Sequence, residues 1–193
     1  MNLPNKLTIL RIIMIPLFVA IFYITAIPYN YVISAVIFTL AALTDFLDGH
    51  IARKYNLITN LGKFLDPIAD KVLVSTALII MLLPFPGEGV ILPFYAAIAV
   101  AVILARELVV SGFRMVAASK GAVLAADWSG KVKTFVQDVA VIVLLVGADF
   151  SIGTDINVIN LIGLILLGVA TILTIYSGTE CIVKNRAVLK DGQ

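Results

Sequence analysis

The stretch that organises this sequence reads Asp45-Phe-Leu-Asp48-Gly49-His-Ile-Ala52-Arg53, then eight residues, then Gly62-Lys-Phe-Leu-Asp66-Pro-Ile-Ala-Asp70. The first two aspartates are three positions apart and the last two are four apart, so each pair shares one face of a helix. The connection between the two pairs is short enough to make the helices antiparallel neighbours. We therefore predict that four carboxylates converge between two helices, at one end of both.

The residues around this stretch are too apolar for a water-facing surface. Of 193 residues, 61% are hydrophobic and 13% are charged, with a mean hydropathy of +1.09. Soluble domains carry about 25% charged residues, so the bilayer is the expected solvent. The length predicts one domain, 1–188, with a short cytoplasmic tail at 189–193. The single cysteine, Cys181, excludes a disulfide within the chain.

Six stretches are apolar over the roughly 20 residues that a helix needs to cross the hydrocarbon core. We predict an all-α membrane protein with six transmembrane helices near 7–26, 31–54, 63–84, 90–118, 130–148 and 156–183. The first stretch is long for a signal peptide, and we expect it to be retained.

The basic residues predict the orientation of these spans. The joints 27–30, 85–89 and 149–155 hold no lysine or arginine. Nearly all basic residues lie at the N-terminus, in 53–63 and 114–133, and after Ile182. Because basic loops stay on the cytoplasmic side, we predict that both termini and the aspartates face the cytoplasm.

Four carboxylates held together repel one another, and carboxylates at membrane depth are costly. Lys71 and Arg53 would offset part of this charge. Oxygen ligands suit Mg²⁺ or Mn²⁺, so we predict a divalent metal site, with two ions expected. Two metals can stabilise the attacking and leaving oxygens in a displacement at phosphorus. Gly49 and Gly62 would let a phosphate approach the backbone, and Arg53 offers its oxygens a planar fork.

The complete pattern, Asp-x2-Asp-Gly-x2-Ala-Arg-x8-Gly-x3-Asp-x3-Asp, resembles the signature of the CDP-alcohol phosphatidyltransferase family at every fixed position. The resemblance implies a six-helix membrane fold, usually dimeric, and an alcohol that attacks a CDP-linked lipid to release CMP. It implies that Asp45, Asp48 and Asp66 bind metal, and that Asp70 lies close to the metals as the catalytic base. It also implies that the cytidine diphosphate is held by Gly49, Ala52, Arg53 and Gly62.

Charged residues elsewhere point to the acceptor. Arg106 and Glu107 interrupt the fourth apolar stretch, where ionisable residues are functional candidates. With Arg114, Lys131 and Lys133 they predict a basic pocket opposite the aspartates, suited to an acceptor that carries phosphate. Two alternatives stay open, namely lysines that only set topology and a purely structural Glu107–Arg114 ion pair.

Three further strings resemble the branch of this family that uses glycerol 3-phosphate. They are Leu3-Pro-Asn-Lys-Leu-Thr8-Ile-Leu-Arg11, Ala105-Arg-Glu-Leu-Val-Val-Ser-Gly-Phe-Arg114 and Gly130-Lys-Val-Lys-Thr134 with Gln137. The resemblance implies CDP-diacylglycerol as donor and glycerol 3-phosphate as acceptor, with the acceptor phosphate bound by Arg106, Arg114, Lys131 and Lys133. It also implies that Thr8 and Arg11 lie near the nucleotide-lipid, although Asn5 as an N-cap and Arg11 as a snorkelling side chain are alternatives.

Other functions remain open at this point. An inositol phosphate is an alternative acceptor, whereas serine needs no phosphate-binding pocket. From another class, a cation transporter could use the four aspartates. Transporter sites tend to lie near the bilayer centre within broken helices, whereas these aspartates gather at one end. Asp138 fits no motif, and a structural pairing with a lysine is as open as a catalytic role.

Overall fold

The six apolar stretches form six α-helices in the computed structural model. They are α1 (Leu3–Tyr23), α2 (Asn30–Lys54), α3 (Asn60–Ile80), α4 (Ala96–Ser119), α5 (Trp128–Phe150) and α6 (Val158–Lys184). The structure describes residues 3–54, 60–83, 91–120, 128–150 and 158–186, without the side chains of 3–4, 45–54, 60–64 and 66–67. The all-helical prediction is confirmed.

The largest difference between predicted and observed boundaries is at the start of the fourth helix, next to a proline. The fourth helix begins at Ala96, not near residue 90, because Pro93 lacks a backbone donor and restricts the residue before it. The Ala96 amide donates to the Pro93 carbonyl at 2.8 Å and starts the first turn. The first helix ends at Tyr23, before Pro28, and Tyr29 adopts a left-handed backbone with a φ of 57°.

Three helices within the described residues are long and apolar enough to cross a membrane: Asn5–Tyr23, Ala96–Ser119 and Val158–Lys184. A shorter apolar stretch, Asn30–Thr44, lies in α2. Helices α3 and α5 carry charged residues, such as Asp70, Lys71 and Lys133, that lower their hydropathy. The three long apolar helices are typical of a multi-pass membrane protein.

The two ends of the bundle differ in composition. Contacts between the helices show that they alternate in direction, which brings together the first halves of α1, α3 and α5 and the second halves of α2, α4 and α6. We call this the polar end, because buried polar side chains gather there: Asn5, Thr8, Arg11, Lys133, Gln137, Thr174 and Ser177. The opposite end is called the apolar end.

The apolar end holds the main hydrophobic core. Phe18 and Phe22 of α1 contact each other at a ring-centroid distance of 6.1 Å, and Phe18 contacts Phe38 of α2 at 6.1 Å. Leu78 of α3 and Leu144 of α5 are fully buried in the same cluster. This packing joins α1, α2, α3 and α5 at the apolar end.

Specific polar and small residues fix the helices within this core. The Asp149 carboxylate of α5 accepts a 2.6 Å hydrogen bond from the Val32 amide in the first turn of α2. An acidic group is favourable there because the amino end of a helix carries partial positive charge. Gly163 of α6 lies so close to α5 that an added Cβ would be 2.7 Å from Leu144 Cγ. Gly163 therefore serves helix packing, whereas a Cβ added at Gly168 would meet no atom of another described element within 4 Å.

Candidate active site

The aspartates of the signature lie on α2 and α3, as their spacing predicts. Helix α2 runs unbroken through Asp45 and Asp48 to Lys54, and α3 contains Asp66 and Asp70. Both pairs are at the polar end, and α2 and α3 are in contact with each other. Only the Asp70 side chain is among the described residues. The side chains of the other predicted metal and nucleotide residues on these helices lie outside them: Asp45, Asp48, Gly49, Ala52, Arg53, Gly62 and Asp66.

Asp70 lines an open cleft between α3, α4 and α5. The walls combine acids, bases, hydroxyls and an amide with a few apolar side chains: Asp70, Lys71, Val74, Ser75, Ile103, Leu104, Glu107, Lys133, Thr134 and Gln137. Carboxylates and ammonium groups thus meet in one cavity at the polar end. Such a cavity can bind a small anionic, hydroxylated ligand beside a carboxylate that can accept a proton.

Glu107 is the centre of an ion network that joins three helices. Its Oε1 accepts a hydrogen bond from Lys133 Nζ of α5 and another, at 3.1 Å, from Arg106 Nη1 of α4. Arg106 Nη2 donates to Ser177 Oγ of α6 at 2.8 Å. The Lys133 side chain is only 2% exposed, so this ion pair lies inside the bundle.

The Glu107–Arg114 ion pair, one of the alternatives that the sequence left open, is wrong. Glu107 and Arg114 are seven residues apart on α4, but among the described residues the ion pairs of Glu107 are with Lys133 and Arg106. Arg114 Nε is buried and has no hydrogen-bond partner there. A neighbouring helix therefore supplies a closer partner than the next turns of the same helix.

The four basic residues predicted to bind the acceptor do not converge on one point. Lys133 lines the cleft, and Arg106 meets it at Glu107. Arg114 lies eight residues beyond Arg106, or about 12 Å along the helix axis. Lys131 is exposed, because two residues along a helix turn a side chain by about 200° from Lys133.

The inner face of α1 changes from polar to apolar along its length. Asn5, Thr8 and Arg11 are buried at the polar end, and Ile15 and Phe18 continue the same face into the core. The snorkelling interpretation of Arg11 is wrong, since its side chain is 0% exposed. Asn5 is not an N-cap either, because α1 already begins at Leu3. Thr8 and Arg11 thus belong to the polar interior in which a nucleotide-lipid is expected.

Ser177 is the part of the network that sequence reasoning missed. It lies in the most apolar helix, next to Gly178, where an added Cβ would be 2.9 Å from Arg106 Cγ. The available signal was the repeat of small or hydroxyl residues at helical spacing on α6, namely Ala170, Thr174, Ser177 and Cys181, all of which are buried. That repeat marks the face on which α4 packs.

Comparison with known proteins agrees with this arrangement. The chain matches the model of the CDP-alcohol phosphatidyltransferase family over residues 1–176. It is 43% identical over 177 residues to a CDP-diacylglycerol–glycerol-3-phosphate 3-phosphatidyltransferase of Rickettsia bellii, with 92% of this chain and 91% of the relative covered. Proteins of the same name from Bacillus subtilis and Shigella flexneri are 41% identical over 200 residues and 37% identical over 192 residues. These two alignments cover 98% of this chain, and 97% and 98% of the respective relatives. The chain therefore belongs to the CDP-alcohol phosphatidyltransferase family.

Proposed function

We propose that the chain transfers the phosphatidyl group of CDP-diacylglycerol to glycerol 3-phosphate, forming phosphatidylglycerol phosphate and releasing CMP. The observation that carries this proposal is the cleft that Asp70 and Lys133 both line, with Glu107 bonded to Lys133 on the same wall. The acceptor side of the reaction needs a proton acceptor and a cation for phosphate. The relatives named for this reaction support the same acceptor.

The proposed reaction is a displacement at the phosphorus that carries diacylglycerol. The attacking hydroxyl oxygen forms a bond to this phosphorus, the bond to the bridging diphosphate oxygen breaks, and CMP leaves with that oxygen. Asp70 is the proposed catalytic base and takes the proton of the attacking hydroxyl. Its half-buried position on the wall of the cleft supports this role.

The proposed metal ligands are Asp45, Asp48, Asp66 and Asp70, binding two ions of Mg²⁺ or Mn²⁺. Carboxylates suit these ions, and the pairs lie at helical spacing on two helices in contact. The family generally uses divalent metal ions. Bound there, the ions would neutralise the diphosphate and polarise the attacking hydroxyl.

The donor is proposed to lie against the signature residues and the start of α1. Gly49, Ala52, Arg53 and Gly62 would hold the cytidine diphosphate, with Thr8 and Arg11 beside it. The position of Arg11 inside the polar end supports this placement, because a guanidinium group can donate several hydrogen bonds to phosphate oxygens. A bound diphosphate would add negative charge at this end of the bundle.

The acceptor phosphate is proposed to be bound by Arg106, Arg114, Lys131 and Lys133. Lys133 has the strongest support, because it lines the cleft itself. Arg106 is held in the same network through Glu107. Arg114 and Lys131 would contribute from positions nearer the end of the bundle.

We further propose six transmembrane spans in a bacterial cytoplasmic membrane, with both termini and the polar end facing the cytoplasm. The basic residues at the polar ends of the helices support this orientation, for example Lys6, Lys120, Lys131 and Lys184. The family resemblance supports a homodimer.

The proposed acceptor is tested by supplying purified protein with CDP-diacylglycerol, Mg²⁺ or Mn²⁺, and one acceptor at a time. We expect CMP release to be fastest with glycerol 3-phosphate and slow with serine, inositol or inositol phosphate. Faster release with inositol phosphate would reassign the acceptor. A cation transporter would release no CMP with any of them.

A further inference from the structure

Lys71 of α3 is a cation of the cleft that has no ion-pair partner among the described residues. Its side chain is half-buried and lines the cleft together with Asp70. Within the part of the chain that the structure describes, its ammonium group forms no hydrogen bond or ion pair. A charged group that is partly removed from water is costly unless it is paired. The ammonium group is therefore available to an anion that enters the cleft.

The other lysine that lines the cleft is already engaged. Lys133 Nζ donates to Glu107 Oε1, and the Lys133 side chain is only 2% exposed. A phosphate can bond to this group only by sharing or displacing an existing ion pair, whereas no such pair has to be broken at Lys71. Of the two lysines, Lys71 is therefore the one that an incoming anion meets first.

The charges around Lys71 favour an anion at this position. Lys71 lies within electrostatic range of the Glu107 carboxylate on the opposite wall, but that carboxylate is bonded to Lys133 and Arg106 instead. The three cations of this group thus outnumber its two carboxylates, Glu107 and Asp70. A phosphate suits such a position, because its oxygens accept hydrogen bonds from the three donors of an ammonium group.

The adjacency of Lys71 and Asp70 limits the size of the molecule that can contact both. Their Cα atoms are about 3.8 Å apart, and both side chains line the same cleft. A molecule that offers a hydroxyl group to Asp70 and an anionic group to Lys71 must carry the two within a few bonds of each other. Glycerol 3-phosphate meets this condition, since its reacting hydroxyl and its phosphate are on the two ends of a three-carbon chain.

We propose that Lys71 binds the phosphate group of the acceptor while Asp70 faces the reacting hydroxyl. This inference rests on the proposed function, in which the acceptor is glycerol 3-phosphate. It adds a cation from α3 to the basic residues of α4 and α5 that are proposed to bind the same phosphate. The helix that carries the proposed base then also sets the position of the acceptor relative to that base.

The experiment measures CMP release by purified protein while glycerol 3-phosphate and CDP-diacylglycerol are varied in turn. Lys71→Met keeps a long side chain and removes its charge. We expect the KM for glycerol 3-phosphate to rise by about 10- to 100-fold, because a hydrogen bond between two charged groups is lost. The kcat and the KM for CDP-diacylglycerol should stay within about threefold of wild type, since the loss of uniform binding of one substrate raises only its own KM.

Two further variants separate a phosphate contact from a general effect of charge. Lys71→Arg keeps a cation at this position and is expected to hold the KM for glycerol 3-phosphate within about fivefold of wild type. Lys6→Met removes an exposed lysine at the polar end that does not line the cleft, and it should leave both KM values unchanged. An equal rise in the KM for glycerol 3-phosphate with Lys6→Met would indicate only a loss of overall charge attraction and would overturn the proposal.

Three other results would also overturn it. They are an unchanged KM for glycerol 3-phosphate in Lys71→Met, a rise confined to the KM for CDP-diacylglycerol, and a higher Mg²⁺ requirement with both KM values unchanged. The last result would mean that Lys71 only neutralises the aspartates. If Lys71→Met does not yield folded protein, Lys71→Gln is measured in the same way with the same expected rise. If the wild-type protein releases CMP only with alcohols that carry no phosphate, the proposed function fails as well, whereas an unchanged KM in an active variant refutes the role of Lys71 alone.

Discussion

The polar and apolar ends of the bundle are built from the same six helices, but one end buries charged and polar side chains and the other buries mainly apolar ones. At the apolar end, Phe18, Phe22 and Phe38 form a close-packed cluster. Their side chains carry no polar group that needs a hydrogen-bond or ionic partner when it is buried. At the polar end, Arg11 and Lys133 are buried although each carries a charge that is costly to remove from water. Apolar packing stabilises the fold, whereas the buried charges cost stability unless they are compensated.

This difference indicates which end carries function. Proteins depart from the rule of an apolar interior mainly where a site requires it. In this chain the departure coincides with the aspartate signature and with the cleft lined by Asp70, Glu107 and Lys133. Substitutions at the polar end should therefore change catalysis first, and substitutions at the apolar end should change stability first.

The largest effect is expected for Asp70→Asn at the polar end. Asparagine keeps the size of the side chain but cannot take the proton of the attacking hydroxyl, so kcat should fall by about 10²- to 10⁴-fold. Binding of the CDP-lipid should persist, as measured by retention of a labelled donor on purified protein. A variant with the wild-type kcat would remove the base assignment.

Phe18→Ala tests the apolar end. The ring is 0% exposed, so its removal leaves a cavity and should lower the free energy of unfolding by about 3 kcal/mol. The midpoint of thermal inactivation measures this loss, and kcat of the protein that remains folded should stay within about twofold of wild type. A large fall in kcat with an unchanged midpoint would reverse the comparison between the two ends.

Removing one member of the Glu107–Lys133 pair should affect both the stability of the protein and its affinity for the acceptor. Lys133→Met leaves the Glu107 carboxylate without its closest cation and should destabilise the protein by about 2 kcal/mol, since Glu107 retains some exposure and Arg106. Glu107→Gln combined with Lys133→Met should recover much of this stability but none of the acceptor affinity. The thermal midpoint and the KM for glycerol 3-phosphate separate the two effects. Recovery of both by the double variant would indicate a purely structural pair.

The smallest effect is expected for Ser177→Ala, which removes one hydrogen bond to Arg106. A net contribution of about 1 kcal/mol corresponds to roughly a fivefold rise in the KM for glycerol 3-phosphate, with kcat nearly unchanged. Thr179→Val is the control, because within the part of the chain that the structure describes the Thr179 hydroxyl bonds only to backbone carbonyls of its own helix. Equal effects of the two variants would exclude a positioning role for Ser177.

The sequence predicts those features of the fold whose pattern lies within a single helix. Apolar length predicted all six helices, and the spacing of the aspartates placed them on α2 and α3. The start of α4 was missed because hydropathy counts Pro93 and Phe94 as part of the apolar stretch, whereas these residues form the turn that precedes the helix.

The candidate site could be predicted less completely from the sequence, because it depends on contacts between helices. Periodicity on α4 suggested Arg114 as the partner of Glu107, but no pattern within one helix could indicate Lys133. Arg11 could not be assigned to the interior until the packing of α1 was known. The role of Ser177 likewise became recognisable only through its contact with Arg106.

The lipid product formed by the purified chain tests the central claim most directly. With CDP-diacylglycerol, glycerol 3-phosphate and Mg²⁺, mass spectrometry should detect phosphatidylglycerol phosphate in a one-to-one ratio with released CMP, and neither without glycerol 3-phosphate. CMP release that does not depend on glycerol 3-phosphate, or a lipid product without the second phosphate, would contradict the account.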